Sequence, residues 1–196
     1  MYLKQPHHGF TVIELLITVA VVGTLSALGI PTMNGAINNA KVRTTAEGLQ
    51  NGLRTAQAEA IRRSRQTAFV LTNATPARGA LPAANGKYWY IQVLPVVSGE
   101  SIPDSYVQGG QFGALTAGVT VAGPAVICFN SIGRAVANTD TGLPGTASCI
   151  APPAARTTFD VTKTGADRTM RLQVSAAGKI RMCDKSRDVA TQPDGC

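Results

Sequence analysis

Histidine is nearly absent from this chain of 196 residues: His7 and His8 are the only two, and both precede Phe10. No imidazole is available past residue 8, which excludes a Ser-His-Asp or Cys-His catalytic unit and any His-ligated metal from the body of the chain. Charge is also scarce, at 15% of residues, and aromatics make up only 5%. There is no phosphate-binding glycine loop, no dinucleotide fingerprint and no C-x-x-C pair. An enzyme is not expected, and neither is a cofactor or a metal. With 44% apolar residues, the bulk of the chain is too hydrophobic and too weakly charged to be disordered. Gly and Pro are spread through the last two thirds, which excludes a coiled coil.

The charge that is present is uneven. The net balance of +7 gathers in two places. One is residues 41–65, where Lys41, Arg43, Arg54, Arg62, Arg63 and Arg65 face only Glu47 and Glu59. The other is the tail, 162–196, with seven basic residues against four acidic ones.

From Phe10 to Met33 runs a 24-residue apolar stretch with one charge, Glu14. About 20 such residues cross the roughly 30 Å hydrocarbon core of a bilayer. The stretch is too long for an ordinary secretory signal, and no small-x-small cleavage site follows it. A carboxylate inside a membrane helix costs about 2.5–3.5 kcal/mol on insertion scales and marks function by default. Taken alone, Glu14 is equally well an interfacial residue reaching the headgroups.

Gly9-Phe10-Thr11-Val12-Ile13-Glu14-Leu15-Leu16, behind a short basic leader and ahead of that apolar run, resembles the class III signal of type IV pilins and pseudopilins. The resemblance implies cleavage by a prepilin peptidase between Gly9 and Phe10 and methylation of the new amine on Phe10. It implies that Glu14 meets the Phe10 amine of a neighbouring subunit, a pairing that low dielectric strengthens. Pro31 is similar to a family proline that kinks the helix where it leaves the membrane. The positive-inside rule does not decide orientation, since Lys4 stands at one end and Lys41 and Arg43 at the other. The family places the N-terminus in the cytoplasm and the domain in the periplasm, as a single-pass inner-membrane protein that then enters a pilus or pseudopilus.

Beyond the membrane the helix is expected to continue. Ile37, Val42, Ala46, Leu49, Leu53, Ala56 and Ala60 recur at three- and four-residue steps, an apolar stripe for packing on a sheet. The stripe ends near Arg65, which predicts a helix over about 10–64. Strands are expected at Thr67–Thr72, Lys87–Leu94, Val119–Val121, Ala125–Asn130, Thr157–Val161, Arg168–Val174 and Lys179–Cys183. Ala176-Ala177-Gly178 offers a tight turn between the last two. Stretches 73–86, 95–118 and 135–156 read as long loops. The predicted fold class is α+β, the type IV pilin fold, with one long helix on an antiparallel sheet. Its parts are a leader 1–9, a membrane half-helix 10–33, an amphipathic half-helix 34–65 and a β-rich domain 66–196.

Three segments narrow the resemblance to the FimT, FimU and GspH group of minor pilins and pseudopilins. They are the helix end LRTAQAEAIRRSRQTAFVLT, the run Cys128-Phe129-Asn130-Ser131-Ile132-Gly133-Arg134, and the hairpin Leu172–Arg181. Four cysteines in an exported domain predict two disulfides, for which three connectivities exist. The preferred pairs are Cys128–Cys149, bridging the mid-domain loop, and Cys183–Cys196, stapling the tail to the last strand. Each would contribute about 3 kcal/mol.

The tail cations Lys179, Arg181, Lys185 and Arg187, with Arg168 and Arg171 on the preceding strand, are a candidate site for double-stranded DNA. Lys179 and Arg181 share a strand face. DNA-binding members of the FimT subgroup carry a similar Gly-Arg-x-Arg motif, here Gly178-Lys179-Ile180-Arg181. The lysine loses the bidentate fork. The same residues also read as a solvated strand face or a contact with a neighbouring pilin. Asp184 and Asp188 could meet across a small loop around Ca²⁺, at poor ligand spacing. Arg62, Arg63 and Arg65 either complement the helix dipole or contact other subunits. Trp89 is expected in the core, opposite Tyr88 and Tyr90. The expected function is a minor pilin that initiates or caps a type IV pilus at its tip, with other minor and major pilins as partners. The alternatives are a pilus-tip DNA receptor and a type II secretion pseudopilin.

Overall fold

A computed structural model describes residues 9–97, 99–112, 118–150 and 156–196; the side chains of 27–32 are outside that description. The leader residues 1–8 lie outside it too. So does the side chain of Pro31, where a kink is expected.

One helix, α1 (Val12–Arg63), dominates the chain. It starts where Thr11 turns extended and its hydroxyl accepts the Glu14 amide at 3.3 Å, satisfying one of the unpaired first-turn donors. It stops at Ser64, which enters the left-handed region (φ 52°) and returns its N–H to Ala60 and Ile61 carbonyls. Val42, Ala46, Leu49, Leu53, Ala56 and Ala60 alternate steps of four and three and are fully buried. Ile37, which the sequence pattern joins to them, is 47% exposed. The buried apolar packing of the helix therefore begins about one turn after Ile37, at Val42. Asn38 and Asn39 mark the boundary, tying the helix to Gly165, Asp167 and Arg168 by side-chain hydrogen bonds.

The strands are β1 (Thr67–Thr72), β2 (Tyr88–Val93), β3 (Tyr106–Gln111), β4 (Val119–Ala122), β5 (Val126–Phe129), β6 (Ala135–Val136), β7 (Thr157–Lys163), β8 (Met170–Val174) and β9 (Ile180–Asp184). They form two antiparallel sheets where one was expected: five strands in the order β3-β2-β1-β5-β6, and four in the order β4-β7-β8-β9. Strands β3 and β6 fall in stretches that read as loops. YVQGGQ has neither alternation nor β-branched density, and β6 is a two-residue pairing with β5. Both are held by their neighbours rather than by propensity.

Both sheets meet α1 in one core. Phe69, Leu71, Ile91, Ile127 and Phe129 come from the first sheet, and Val121, Phe159, Val161, Leu172 and Val174 from the second. Trp89 stacks on Phe69 with ring centroids 5.6 Å apart, on the helix side of the first sheet. Tyr90 points the other way, into a second cluster with Ala68, Val70, Val126, Leu143 and the Cys128–Cys149 disulfide. Its hydroxyl donates to the Ala80 carbonyl at 2.7 Å, and burial pushes its phenol up to about 12. β1 is thus buried on both faces.

Candidate functional site

The first candidate surface is the part of α1 that the domain does not cover. Phe10 is 85% exposed, and Val12, Ile13, Leu15, Leu16, Ile17, Val19, Val21, Val22 and Leu25 are all exposed large hydrophobics. An apolar helix without a polar side belongs in a bilayer or among other helices. Among the described residues no helix is long and apolar enough to cross a membrane; the apolar run of the sequence passes on through 27–32, whose side chains are not described. Glu14 is exposed on this helix, with its backbone amide held by the Thr11 cap. Gly9 and Phe10, at the expected cleavage point, are exposed and precede the helix.

The second is the tail. A disulfide joins Cys183 on β9 to Cys196, and among the described residues no cysteine is free. Inside the closed loop, Asp184 exchanges backbone bonds with Asp194 and Cys196. Five of the six candidate cations gather at this end of the second sheet and are engaged within the chain, whereas Lys179 sits at the other end of β9, at the β8–β9 turn. Arg171 makes a two-pronged bond to Asp160, at 2.6 and 2.8 Å, and Lys185 reaches the same carboxylate at 2.8 Å. These cations, the Arg171 guanidinium foremost, pull the Asp160 carboxyl down to about 2. Arg187 pairs with Asp194 at 2.7 Å and lowers its pKa. Arg181 donates to the Gly195 carbonyl at 2.8 Å. Arg168 and Arg187 stand over the buried Asp184 at 3.7 and 3.6 Å. Only Lys179 of the six is exposed without a side-chain partner among the described residues. Charge that is already paired neutralises few phosphates.

Asp184 and Asp188 do not converge on a cation. Asp184 accepts from the Ser186 amide and faces the two guanidiniums; Asp188 caps its own turn through the Ala190 amide. No group of three or more metal-ligating side chains occurs among the described residues. A cavity of about 480 Å³ opens beside Asp184, between Asn39–Arg43 of the helix and Met170 and Met182 of the sheet.

The basic helix end is likewise internally satisfied. Glu59 receives Arg62 at 2.7 Å and Arg63 at 2.9 Å, and hydrogen bonding from Arg62 chiefly lowers its pKa. Arg65 pairs with Glu100 in the loop after β2 at 2.7 Å. The helix carbonyls are capped by backbone instead.

The sequence reading missed Gln57. Its amide nitrogen donates to the Gly133 carbonyl at 2.7 Å and to the Gly178 carbonyl at 2.9 Å. The three motif segments (helix end, mid-domain run and terminal hairpin) therefore meet at one side chain. Gly178 sits at φ +83°, and a Cβ there would collide with the Gly133 carbonyl, so glycine is required on two counts. Gln57 falls between apolar stripe positions, where a polar residue reads as solvent-facing; no local signal marks it as a bridge.

A family model described as the type II transport protein GspH matches residues 45–178, and a model of the prokaryotic N-terminal methylation motif matches residues 4–30. Among solved structures, the chain is similar to the type IV minor pilin FimU of Pseudomonas aeruginosa strain PAO1. In one crystal form the identity is 21%, with 76% of this chain and 92% of that one covered, at a TM-score of 0.50. In a second form the values are 20%, 74%, 94% and 0.48. The minor pseudopilin EpsH of the Vibrio cholerae type 2 secretion system aligns at 12% identity over 74% of this chain and 97% of that one, with a TM-score of 0.44. No curated protein sequence matches the chain. At such identity the FimU likeness is one of fold: a helix packed on antiparallel sheets.

Proposed function

Since this chain belongs to the GspH family and carries the N-terminal methylation motif, we propose that it is a minor subunit of a type IV pilus, placed at the tip to start or cap the filament. The observation that carries this reading is the uncovered apolar helix from Phe10 to Leu25. A fold that buries the apolar stripe of its second half-helix and leaves the first half bare on all sides needs a bilayer before assembly and partner helices after it. In that setting a prepilin peptidase frees and methylates Phe10, and Glu14 pairs with a Phe10 amine in the inner membrane. The pairing compensates the cost of a carboxylate in hydrocarbon. Other minor and major pilins are the partners.

A second reading is service in a type II secretion pseudopilus, which the description of the matching family favours. Reception of double-stranded DNA through the tail has less support, because five of the six candidate cations are already satisfied inside the chain.

The test is complementation of a deletion strain with wild type and with Glu14→Ala. Pilus loss on deletion, restored by wild type and not by the variant, supports the first reading. Intact pili with failed exoprotein secretion supports the second. Intact pili and secretion with lost DNA uptake would leave DNA reception.

A further inference from the structure

Most cations of this domain are paired within the chain, and of the exposed ones without a side-chain partner among the described residues, which include Arg78 and Lys87 elsewhere, three gather at one place. The cations around Asp160, Asp184 and Asp194 are paired. Arg54, Arg134 and Lys179 are exposed and, among the described residues, have no side-chain partner. These three lie around the Gln57 junction. Arg54 precedes Gln57 by three residues on α1 and so lies on the same helical face. Arg134 follows Gly133, and Lys179 follows Gly178, the two glycines whose carbonyls Gln57 holds. Ile61, one turn beyond Gln57, stands beside Gly133. It is 51% exposed and Ile132 is 69% exposed. Two exposed isoleucines and three cations without side-chain partners thus adjoin one junction fixed by hydrogen bonds.

We propose that this patch of Arg54, Ile61, Ile132, Arg134 and Lys179 is a docking surface for a neighbouring filament subunit, which brings apolar side chains flanked by Asp or Glu. The inference rests on the filament-subunit reading above and adds to it where the contact lies and what chemistry meets it. An apolar centre inside a charged rim is the make-up of a protein interface. The free cations select an acidic partner and repel a basic one. A phosphate backbone would call on the cations but not on the isoleucines, which is why a protein and not DNA is the occupant. The fixed junction matters because little ordering is then left to oppose binding.

The test uses the full chain in its own cells, with the photo-crosslinking residue p-benzoylphenylalanine in place of Ile132 in one strain and of Val19 on the bare helix in another. The expected result is an Ile132-site crosslink to a filament subunit at a peptide carrying Asp or Glu among apolar residues. Arg54→Glu/Arg134→Glu/Lys179→Glu should cut that crosslink about tenfold or more, since like charges replace unlike ones, while the Val19-site crosslink persists. The three residues are exposed, so folding is checked simply by retention of both disulfides on a non-reducing gel. If the reversed chain is degraded, the Gln triple variant substitutes and should give a smaller loss. A Val19-site crosslink with none at Ile132, an Ile132-site crosslink indifferent to charge reversal, or one to DNA would overturn the proposal while leaving the subunit reading intact. No crosslink at either position would remove the subunit reading itself.

Discussion

Replacing Gln57 with Leu keeps a side chain of similar bulk but removes one amide that serves two carbonyls. In the native fold that amide lies 2.7 Å from the Gly133 oxygen and 2.9 Å from the Gly178 oxygen. Both glycines are buried, so neither carbonyl recovers a full share of water. An unsatisfied buried acceptor costs about 1–3 kcal/mol. Gln57 itself is half-buried and Ile61 beside it is exposed, so some water enters and the lower half of that range applies to each. The expected loss is about 2–4 kcal/mol for the pair. Residue 35 onward carries every buried helical position, and urea unfolding of that fragment, followed by Trp89 fluorescence, reads the effect. With a slope of about 2 kcal/mol per molar, the midpoint should fall by about 1–2 M at unchanged slope. Gln57→Glu should be at least as damaging, because a carboxylate turns its oxygens on two carbonyl oxygens. Asn51→Ala, exposed on the same helix, should stay within about 0.5 kcal/mol of wild type. A Gln57→Leu midpoint indistinguishable from that control would refute the claim that this side chain joins the helix end, the mid-domain run and the terminal hairpin.

Other outcomes are equally definite. Burial holds the Tyr90 phenol near 12, above the usual value near 10, so the folded state binds that proton more tightly. Its contribution, about 2–3 kcal/mol, is fully present below pH 10 and is lost as pH rises toward 12; Tyr90→Phe should flatten that decline. Asp160 runs the other way: its carboxyl is held near 2 by Arg171 and Lys185, so its stabilising effect is present above its ordinary range and disappears as pH falls toward 2, and Asp160→Asn should reduce the acid sensitivity. The Cys183–Cys196 bridge spans a separation of 13 residues. Cys183→Ser/Cys196→Ser should therefore destabilise by about 3 kcal/mol in the chain-entropy description, and thiol titration of the denatured, non-reduced wild type should find none.

Much of the fold was legible because its strongest signals are local. The stripe from Val42 to Ala60 is an uninterrupted four-three alternation, and TAFVLT and YWYIQV are dense in β-branched and aromatic residues. The division into two sheets was not legible. Whether Val121 pairs with Val161 or with a strand of the other sheet is decided by contacts about 40 residues apart in sequence, which no local pattern encodes. β3 was hidden for the opposite reason: Gly109 and Gly110 look like a loop, yet a Cβ at Gly110 would press on the Trp89 indole. At the tail, the basic residues were visible as a cluster but their partners were not. Asp160 precedes Arg171 by eleven residues, and only the β7–β8 register sets them opposite each other. The Gln57 junction was invisible for a similar reason, since its acceptors lie 76 and 121 residues away.

The measurement that tests the central claim most directly is the intact mass and N-terminal sequence of the protein isolated from its own membranes, beside Gly9→Ala. A filament subunit of this family should begin at an N-methylated Phe10 and lack residues 1–9, while Gly9→Ala should accumulate as the full-length, unmethylated precursor. A wild-type chain that keeps its leader, or a Gly9→Ala chain cut at the same bond, would contradict the account.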